Sequence, residues 1–307
     1  MVNMHKINSI IIAARPNQWM KNLIIFTAII FSGMLFNIDL FVITFIGFCL
    51  FCVLSSTSYI LNDIIDYPYD RKHPFKKYRP IASGALSIPD ATFIVFLLSL
   101  LSLIIALIIS VSFFLITFTF LLLHFFYSLY FKKHPVFDIF TISFSFMLRA
   151  FAGQALTGYH IQIWLLLTIF FISLFIATAK RHAELIIHGH ETRSSLYFYK
   201  EHLLDFLTTT FATTTIIAYA LYTFLENIQL THTPFTFYFE EIFPNFEARK
   251  WFMITIPLVV YGISRYAQLL YERDQGERPE KIITQDKPLI ITILLWALIV
   301  ISLIYIF

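Results

Sequence analysis

Residues 41 to 71 read FVITFIGFCLFCVLSSTSYILNDIIDYPYDR. A transmembrane helix needs about 20 predominantly apolar residues, and this run supplies them before its first carboxylate, Asp63. If the helix continues to the acidic end, Asp63, Asp66 and Asp70 lie at i, i+3 and i+7 and share one face. Charge of that density beside a membrane span is costly without a function. The stretch therefore predicts a membrane helix whose end presents carboxylates to a cation.

The composition places the whole chain in the membrane. Of its 307 residues, 58% are hydrophobic, 18% aromatic and only 13% charged, and the mean hydropathy is +0.76. The apolar runs are long and do not alternate with polar residues, which favours spanning helices over a β-barrel. The predicted fold class is therefore all-α, a polytopic membrane protein with a single membrane-embedded domain over residues 1–307. A net charge of +3 gives no support for nucleic acid as a partner.

The hydrophobic runs predict nine spans. Only Ser110 and Ser112 mark the join between the third and fourth spans, and residues 1–21 are predicted to be an amphipathic lead-in on the cytoplasmic surface. The nine spans are expected near residues 22–37, 39–61, 91–109, 112–131, 136–158, 162–182, 206–227, 251–271 and 288–307.

The distribution of Lys and Arg predicts the orientation. With nine spans, 19 of the 22 cations fall on one side, which leaves Arg249 and Lys250 opposite and Arg149 inside the membrane. Positively charged loops face the cytoplasm. We therefore expect an integral membrane protein with the acidic motif at the cytoplasmic face.

The residues around the acidic motif indicate binding of a diphosphate. Magnesium is usually held by a few carboxylates together with substrate phosphates, so the sequence predicts Mg²⁺ as cofactor. A guanidinium such as that of Arg79 suits bidentate phosphate contact, although cations here could also serve only to set the orientation. The candidate metal ligands are Asp63, Asp66 and Asp70. The candidate contacts to the diphosphate substrate are Asn62, Arg71, Lys77 and Arg79.

Arg149 is the one cation well inside an apolar run. Burying it without a partner would cost several kcal/mol. Asp138 lies eleven residues earlier, about three helical turns away, so a partner on another helix or a bound anion is expected instead. Asp138 itself is either a ligand or a charge at a helix N-terminus.

The acidic run also carries a family resemblance. Asn62-Asp63-x-x-Asp66-x-x-x-Asp70-Arg71, followed by Lys77-x-Arg79-Pro80-Ile81-Ala82-Ser83-Gly84, resembles the first aspartate-rich motif of the UbiA superfamily. That resemblance implies a membrane-embedded helical enzyme in which the motif holds magnesium and a diphosphate. The polyprenyl-phosphate phosphoribosyltransferase branch is similar at further segments, namely Arg15-Pro16-x-Gln18-Trp19-x-Lys21-Asn22, Tyr127-Ser128-Leu129-x-x-Lys132, Asp138, Leu148-Arg149-Ala150, Lys180-Arg181-x-Ala183-Glu184, Arg265-Tyr266, Gly276, Pro279, Asp286 and Pro288-Leu289.

One departure from the superfamily's prenyltransferases favours a different activity within the superfamily. Those enzymes carry a second aspartate cluster after the sixth span, whereas this chain has no Asp between Asp138 and Asp205 and places Lys180-Arg181-His182-Ala183-Glu184 there. A cationic surface suits a phosphate held without metal, although topogenic charge is the alternative.

The resemblance therefore implies transfer of phosphoribose from phosphoribosyl pyrophosphate to a long-chain polyprenyl phosphate. Membrane lipid is the expected surrounding, and the sequence does not determine whether the protein is a monomer or an oligomer. Prenyl transfer to an aromatic or lipid acceptor is the first alternative, and an ion-coupled transporter is the second.

The histidines at 188, 190 and 202 are interpreted as part of a polar loop rather than a metal site. Further candidate substrate contacts are Lys21, Tyr127, Lys132, Asp138, Arg149, Lys180, Arg181 and Glu184.

Overall fold

A computed structural model describes residues 2–73, 75–188, 199–226, 248–273 and 285–306. Every regular element in these ranges is helical. In chain order the α-helices are α1 Val2–Ala14, α2 Thr27–Phe31, α3 Ile38–Asp70, α4 Ile88–Ile109, α5 Val111–Leu129, α6 Phe137–Thr157, α7 Ile163–His188, α8 Glu201–Leu225, α9 Ile256–Arg273 and α10 Lys287–Tyr305. Tighter 3₁₀ segments occupy Pro16–Phe26, Lys76–Tyr78, Phe131–Lys133 and Ala248–Thr255.

The all-α membrane fold predicted from the sequence is confirmed. Within the described residues, eight helices are long and apolar enough to cross a membrane. They are α3 to α6, α7 to Ile186, α8, the segment Trp251–Tyr271 and α10. Their bounds agree with eight of the nine predicted spans to within a few residues, except that α3 continues nine residues past the predicted end.

The first predicted span, residues 22–37, is not a long α-helix. The 3₁₀ segment Pro16–Phe26 leads directly into the five-residue helix α2. Arg15 is bonded to Asp63 near the end of α3, and Ile38 begins α3, so the intervening chain has to cover most of the length of that helix. A 3₁₀ segment rises about 2.0 Å per residue, more than an α-helix, and covers this distance with few residues.

Helix α3 is continuous through the acidic motif, as predicted. It runs 33 residues from Ile38 to Asp70, or about 50 Å at 1.5 Å per residue. That length exceeds the roughly 30 Å hydrocarbon core, so the carboxylate end extends beyond the apolar region. Pro68 lies in the last turn of α3, where the lost backbone donor disturbs little of the helix.

The weakly marked join between α4 and α5 is confirmed at Ser110. Its backbone is extended (φ −166°, ψ 153°), and its side chain accepts a hydrogen bond from the Phe113 amide at 3.1 Å. This is an N-cap, which satisfies one of the amides left open at a helix start. One serine is therefore enough to separate two apolar helices.

The described chain divides into two compact units. The first contains Met1–Phe26, Asp39–Lys132 and Leu148–Gly158. One of its cores includes Ile25, Leu54, Phe113 and Phe120, and α4 packs on α5. Gly153 permits a close approach in this unit, because a Cβ there would lie 2.0 Å from the Ile25 carbonyl oxygen.

The second unit contains Thr27–Ile38, Lys133–Met147 and Tyr159–Phe307. Helix α7 packs along α8, and α9 packs on α10. Residues such as Phe175, Leu204 and Leu270 form its core. The prediction of a single membrane-embedded domain stays a prediction.

Some predictions fall outside the described residues. These concern the histidine at position 190, three of the cations counted on the predicted cytoplasmic side (Arg193, Arg278 and Lys281), and the resembling residues Gly276 and Pro279. The side chains of His188, Arg249, Lys250 and Arg273 lie outside the description as well.

Candidate active site

The aspartates of α3 form the centre of a charged cluster in the first unit. Asp63 and Asp70 are almost fully buried, at 2% and 4% exposure. Arg79, which follows the turn after α3, donates from Nη1 to Asp63 Oδ1 at 3.0 Å and to Asp70 Oδ2 at 2.8 Å. Two carboxylates seven residues apart therefore converge on a single cationic nitrogen.

Arg15 also reaches this cluster, and sequence reasoning did not assign it as a site residue. Its Nη2 donates to Asp63 Oδ1 at 2.5 Å, and its guanidinium lies over the ring of Tyr59 at 5.1 Å. The backbone of Arg15 has φ 53°, a left-handed conformation that is uncommon outside glycine and that concentrates at functional sites. The Arg15-Pro16 pair within the resembling N-terminal segment was the available signal.

Lys132 holds the third aspartate. Its Nζ donates to Asp66 Oδ1 at 2.5 Å and to Asn62 Oδ1 at 3.1 Å, while Asn62 Nδ2 donates to Asp66 Oδ2 at 3.0 Å. The lysine side chain is only 9% exposed. A residue 66 positions away in the chain is thus brought to the motif.

The donor set fits a divalent cation. Asp63 and Asp70 already place two oxygens around one positive nitrogen of Arg79, and magnesium commonly takes one or two carboxylates and completes its shell with phosphates and water. Within the described chain, the three aspartates do not close into a group whose ligand atoms all lie within 4.8 Å of one another. Asp66 is instead held by Lys132 and Asn62.

Arg71 and Lys77 lie near the same end of α3, where they contact tyrosine side chains. Arg71 donates to the Tyr67 hydroxyl at 3.2 Å and lies over that ring at 5.6 Å. Lys77 lies 5.2 Å from the centre of the Tyr78 ring. Both side chains are exposed, which leaves them accessible to a phosphate from solution.

Arg149 forms a separate polar cluster in the first unit, with partners from other segments as expected. It is 3% exposed, donates from Nε to Asn22 Oδ1 at 2.7 Å, and reaches the Ser55 hydroxyl at 3.4 Å. Its guanidinium lies 4.8 Å over the Phe120 ring. The bonded partners of Arg149 therefore lie on the 3₁₀ segment and on α3.

Lys21 and Tyr127 lie in the same unit. Lys21 is half-buried and directly precedes Asn22, the partner of Arg149. Tyr127 is half-buried, with its ring 6.5 Å from that of His124. Both stay candidate contacts.

Asp138, Arg181 and Glu184 come together in the second unit. Arg181 is 2% exposed; its Nε lies 3.2 Å from Asp138 Oδ2, and its Nη1 donates to Glu184 Oε2. The Lys180 ammonium lies 4.0 Å from Glu184 and its side chain is 36% exposed. Arg181 is thus balanced by two carboxylates, whereas Lys180 is the more accessible cation.

Tyr199 fixes Asp138 in place. Its hydroxyl donates to Asp138 Oδ1 at 2.7 Å and accepts from the Val136 amide at 2.6 Å. Burial, reinforced by the Asp138 charge, raises the pKa of Tyr199 above its ordinary value. The hydroxyl therefore keeps its proton and remains a donor at neutral pH.

These features define a class: a helical, polytopic membrane protein with a buried aspartate and arginine cluster at the end of a long span. The profile of the UbiA prenyltransferase family matches residues 23–186. The chain belongs to the UbiA prenyltransferase family.

Named relatives cover nearly the whole chain. A decaprenyl-phosphate phosphoribosyltransferase of Corynebacterium glutamicum is 32% identical over 301 residues, which span 96% of this chain and 86% of the relative. A protein of the same name from Mycolicibacterium smegmatis is 31% identical over 297 residues, spanning 94% of this chain and 90% of the relative.

Solved structures share the fold. A UbiA homolog from Archaeoglobus fulgidus bound to GPP and Mg²⁺ has a TM-score of 0.69 at 20% identity, with 96% of this chain and 99% of that chain covered. The same archaeal homolog has also been solved with Cd²⁺, at a TM-score of 0.66 and 20% identity, with 96% of this chain and 99% of that chain covered.

Proposed function

We propose that this protein transfers the 5-phosphoribosyl group of phosphoribosyl pyrophosphate to a long-chain polyprenyl phosphate. A phosphate oxygen of the lipid bonds to the anomeric carbon of the ribose, and the bond from that carbon to pyrophosphate breaks. The acceptor is already an anion, so the reaction needs no general base. It needs alignment of two phosphorylated substrates and stabilisation of the departing pyrophosphate.

The observation that carries the proposal is the convergence of Asp63 and Asp70 on Arg79 beside the pair of Asp66 and Lys132. Carboxylates and cations at contact distance suit a ligand that brings both a metal ion and phosphate oxygens. The names of the relatives supply the substrate class, since they are decaprenyl-phosphate phosphoribosyltransferases.

We infer that Mg²⁺ is the metal, held by Asp63 and Asp70 with Asp66 as a further ligand. When bound, it would neutralise charge on the pyrophosphate. Arg79 and Lys132, the cations beside these carboxylates, would contact phosphate oxygens of the substrates. Asn62, Arg71 and Lys77 would bind the polar donor, and Arg15 would keep Asp63 oriented.

Lys180 is our candidate for a phosphate contact in the second unit. Its ammonium is partly exposed and only 4.0 Å from Glu184, whereas Arg181 is buried on two carboxylates. We therefore propose that the ion pairs of Arg181 with Asp138 and Glu184 stabilise this region of α7. Lys180, Lys21, Tyr127 and Arg149 stay candidates for the donor 5-phosphate or the acceptor.

The site is proposed to face the cytoplasm of a bacterial plasma membrane. The support is the placement of 19 of 22 Lys and Arg on one side of the predicted topology, because positive loops remain cytoplasmic. Phosphoribosyl pyrophosphate, a water-soluble polyanion, would then reach the cluster from solution, and the polyprenyl tail would lie among apolar helices.

A double-label experiment tests the reaction. Purified protein, Mg²⁺ and polyprenyl phosphate are incubated with phosphoribosyl pyrophosphate carrying ¹⁴C in the ribose and ³²P in the β-phosphate, and the mixture is then extracted with organic solvent. We expect ¹⁴C in the lipid phase and ³²P in aqueous pyrophosphate. If neither label reaches lipid in a preparation that remains folded, the assignment of the donor is wrong.

Prenyl transfer to an aromatic or lipid acceptor is the second candidate function, because the family profile and the fold are shared with prenyltransferases. Product from a prenyl diphosphate and an aromatic acceptor, with none from phosphoribosyl pyrophosphate, would favour it. Ion flux through proteoliposomes without turnover would instead favour a transporter.

A further inference from the structure

A group of potential metal ligands lies apart from the aspartate cluster, in the second unit. His182 on α7 meets Glu201 and Asp205 on α8, and one ligand atom of each residue lies within 4.8 Å of the other two. Glu201 and Asp205 are four residues apart, so they share a face of α8. None of the three has a part in the proposed reaction.

The histidine in this group is buried, and its ring nitrogens lack hydrogen bonds within the described chain. His182 is 1% exposed, and neither of its ring nitrogens forms a hydrogen bond with any residue that the structure describes. Its Nε2 lies 3.0 Å from Asp205 Oδ1, within ion-pair distance but outside hydrogen-bond geometry. Buried side-chain nitrogens almost always have a partner, and a metal ion bound between this imidazole and the carboxylates would supply one.

We propose that His182, Glu201 and Asp205 bind one divalent transition-metal ion of the Zn²⁺ type. An imidazole nitrogen with two carboxylate oxygens is a zinc donor set, whereas magnesium prefers oxygen ligands throughout. Bond lengths of about 2.0–2.2 Å in a tetrahedral site place ligand atoms about 3.4 Å apart. The His182–Asp205 separation is 3.0 Å and all three ligand atoms lie within 4.8 Å of one another, which is compatible with that value.

The surroundings favour entry and retention of an ion. Glu201 is exposed and the Asp205 side chain is 41% exposed, so an ion can arrive from solvent. Tyr271 donates to Asp205 Oδ1 at 3.1 Å, and its ring centre lies 5.0 Å from that of His182. Such outer contacts orient metal ligands. A bound ion would tie the end of α7 to the first turns of α8.

Metal titration of the full-length protein in detergent tests the site without use of activity. Co²⁺ is the probe, because a tetrahedral Co²⁺ centre has strong visible absorption, and Zn²⁺ is the competitor. With millimolar Mg²⁺ present to fill the aspartate cluster, we expect one Co²⁺ per chain that Zn²⁺ displaces, and a rise in melting temperature with Zn²⁺. His182→Gln and Asp205→Asn should weaken binding at least tenfold.

Two controls separate this site from other binding. His202→Gln changes an exposed histidine in the same turn of α8 and should leave binding intact, as should Asp63→Asn in the aspartate cluster. If His182→Gln does not fold, Co²⁺ binding by Glu201→Gln tests the site instead, because Glu201 is exposed. Absence of the Co²⁺ band in the wild type, or a band unchanged by both Glu201→Gln and Asp205→Asn, would overturn the proposal.

Discussion

At the residue scale, Asp63 joins two arginines in the candidate active site. Two guanidinium groups bond its Oδ1 atom, so its charge organises both Arg15 and Arg79. The sequence predicted the three aspartates from their spacing on one helix face. It could not predict which cations pair with them, because Arg15 and Lys132 are distant in the chain and their approach depends on tertiary packing.

Replacing Asp63 by Asn removes the charge while preserving size. We expect turnover to fall about 100-fold or more, the scale seen when a preorganised electrostatic group is lost. Asp39→Asn is the matched control, because Asp39 is an exposed acid in the first turn of the same helix. Initial rates of the two purified variants provide the comparison, and equal rates would remove Asp63 from the metal site.

Arg15 is proposed to position Asp63 rather than to touch substrate. Arg15→Ala should weaken the apparent affinity for Mg²⁺ by about 10- to 100-fold, as is typical when a partner of a metal ligand is removed. High Mg²⁺ should therefore restore most of the turnover, whereas Lys72→Ala, an exposed cation just after α3, should leave the Mg²⁺ dependence unchanged. A loss that excess Mg²⁺ does not correct would indicate direct substrate contact instead.

At the element scale, the question is how well the sequence predicted the spans and the joins between them. The sequence predicted eight spans well because long apolar runs are a strong signal. It overestimated the α-helical character of residues 22–37, because hydropathy does not distinguish an α-helix from the 3₁₀ segment that the structure has there. The single N-cap Ser110 was a weak signal that proved correct.

Gly153 of α6 is expected to be intolerant of any side chain. A Cβ would lie 2.0 Å from the Ile25 carbonyl oxygen, so Gly153→Ala forces the backbone apart. We expect a loss of about 1–3 kcal/mol, visible as a lower melting temperature in detergent. Gly262→Ala in α9 is the control, since its Cβ would meet Thr292 Cγ2 at an ordinary 3.9 Å; equal melting temperatures would refute the close approach.

Asn22 links the 3₁₀ segment to the buried charge of Arg149. Asn22→Ala should destabilise the protein by about 1.5–3 kcal/mol, because a hydrogen bond to a buried cation is lost. The exposed Asn17 lies in the same segment, and Asn17→Ala should have little effect. Thermal melts of both variants measure the difference, and an Asn22→Ala protein as stable as the wild type would mean that Arg149 has sufficient other partners.

At the scale of the whole molecule, family membership and reaction are distinct conclusions. The fold and the first acidic motif are shared by prenyltransferases, so neither selects the substrate. The choice of phosphoribosyl transfer depends on the replacement of the second acidic motif by Lys180-Arg181-His182-Ala183-Glu184 and on the names of relatives that span nearly all of the chain.

The most direct test of this account is a competition between donors on one enzyme preparation. Polyprenyl phosphate and an aromatic acceptor are supplied together with Mg²⁺, and initial rates are measured with labelled phosphoribosyl pyrophosphate and then with labelled prenyl diphosphate. We predict labelled lipid from phosphoribosyl pyrophosphate only, abolished by a chelator and restored by Mg²⁺. Prenylated aromatic product, with no phosphoribosylated lipid, would contradict the account.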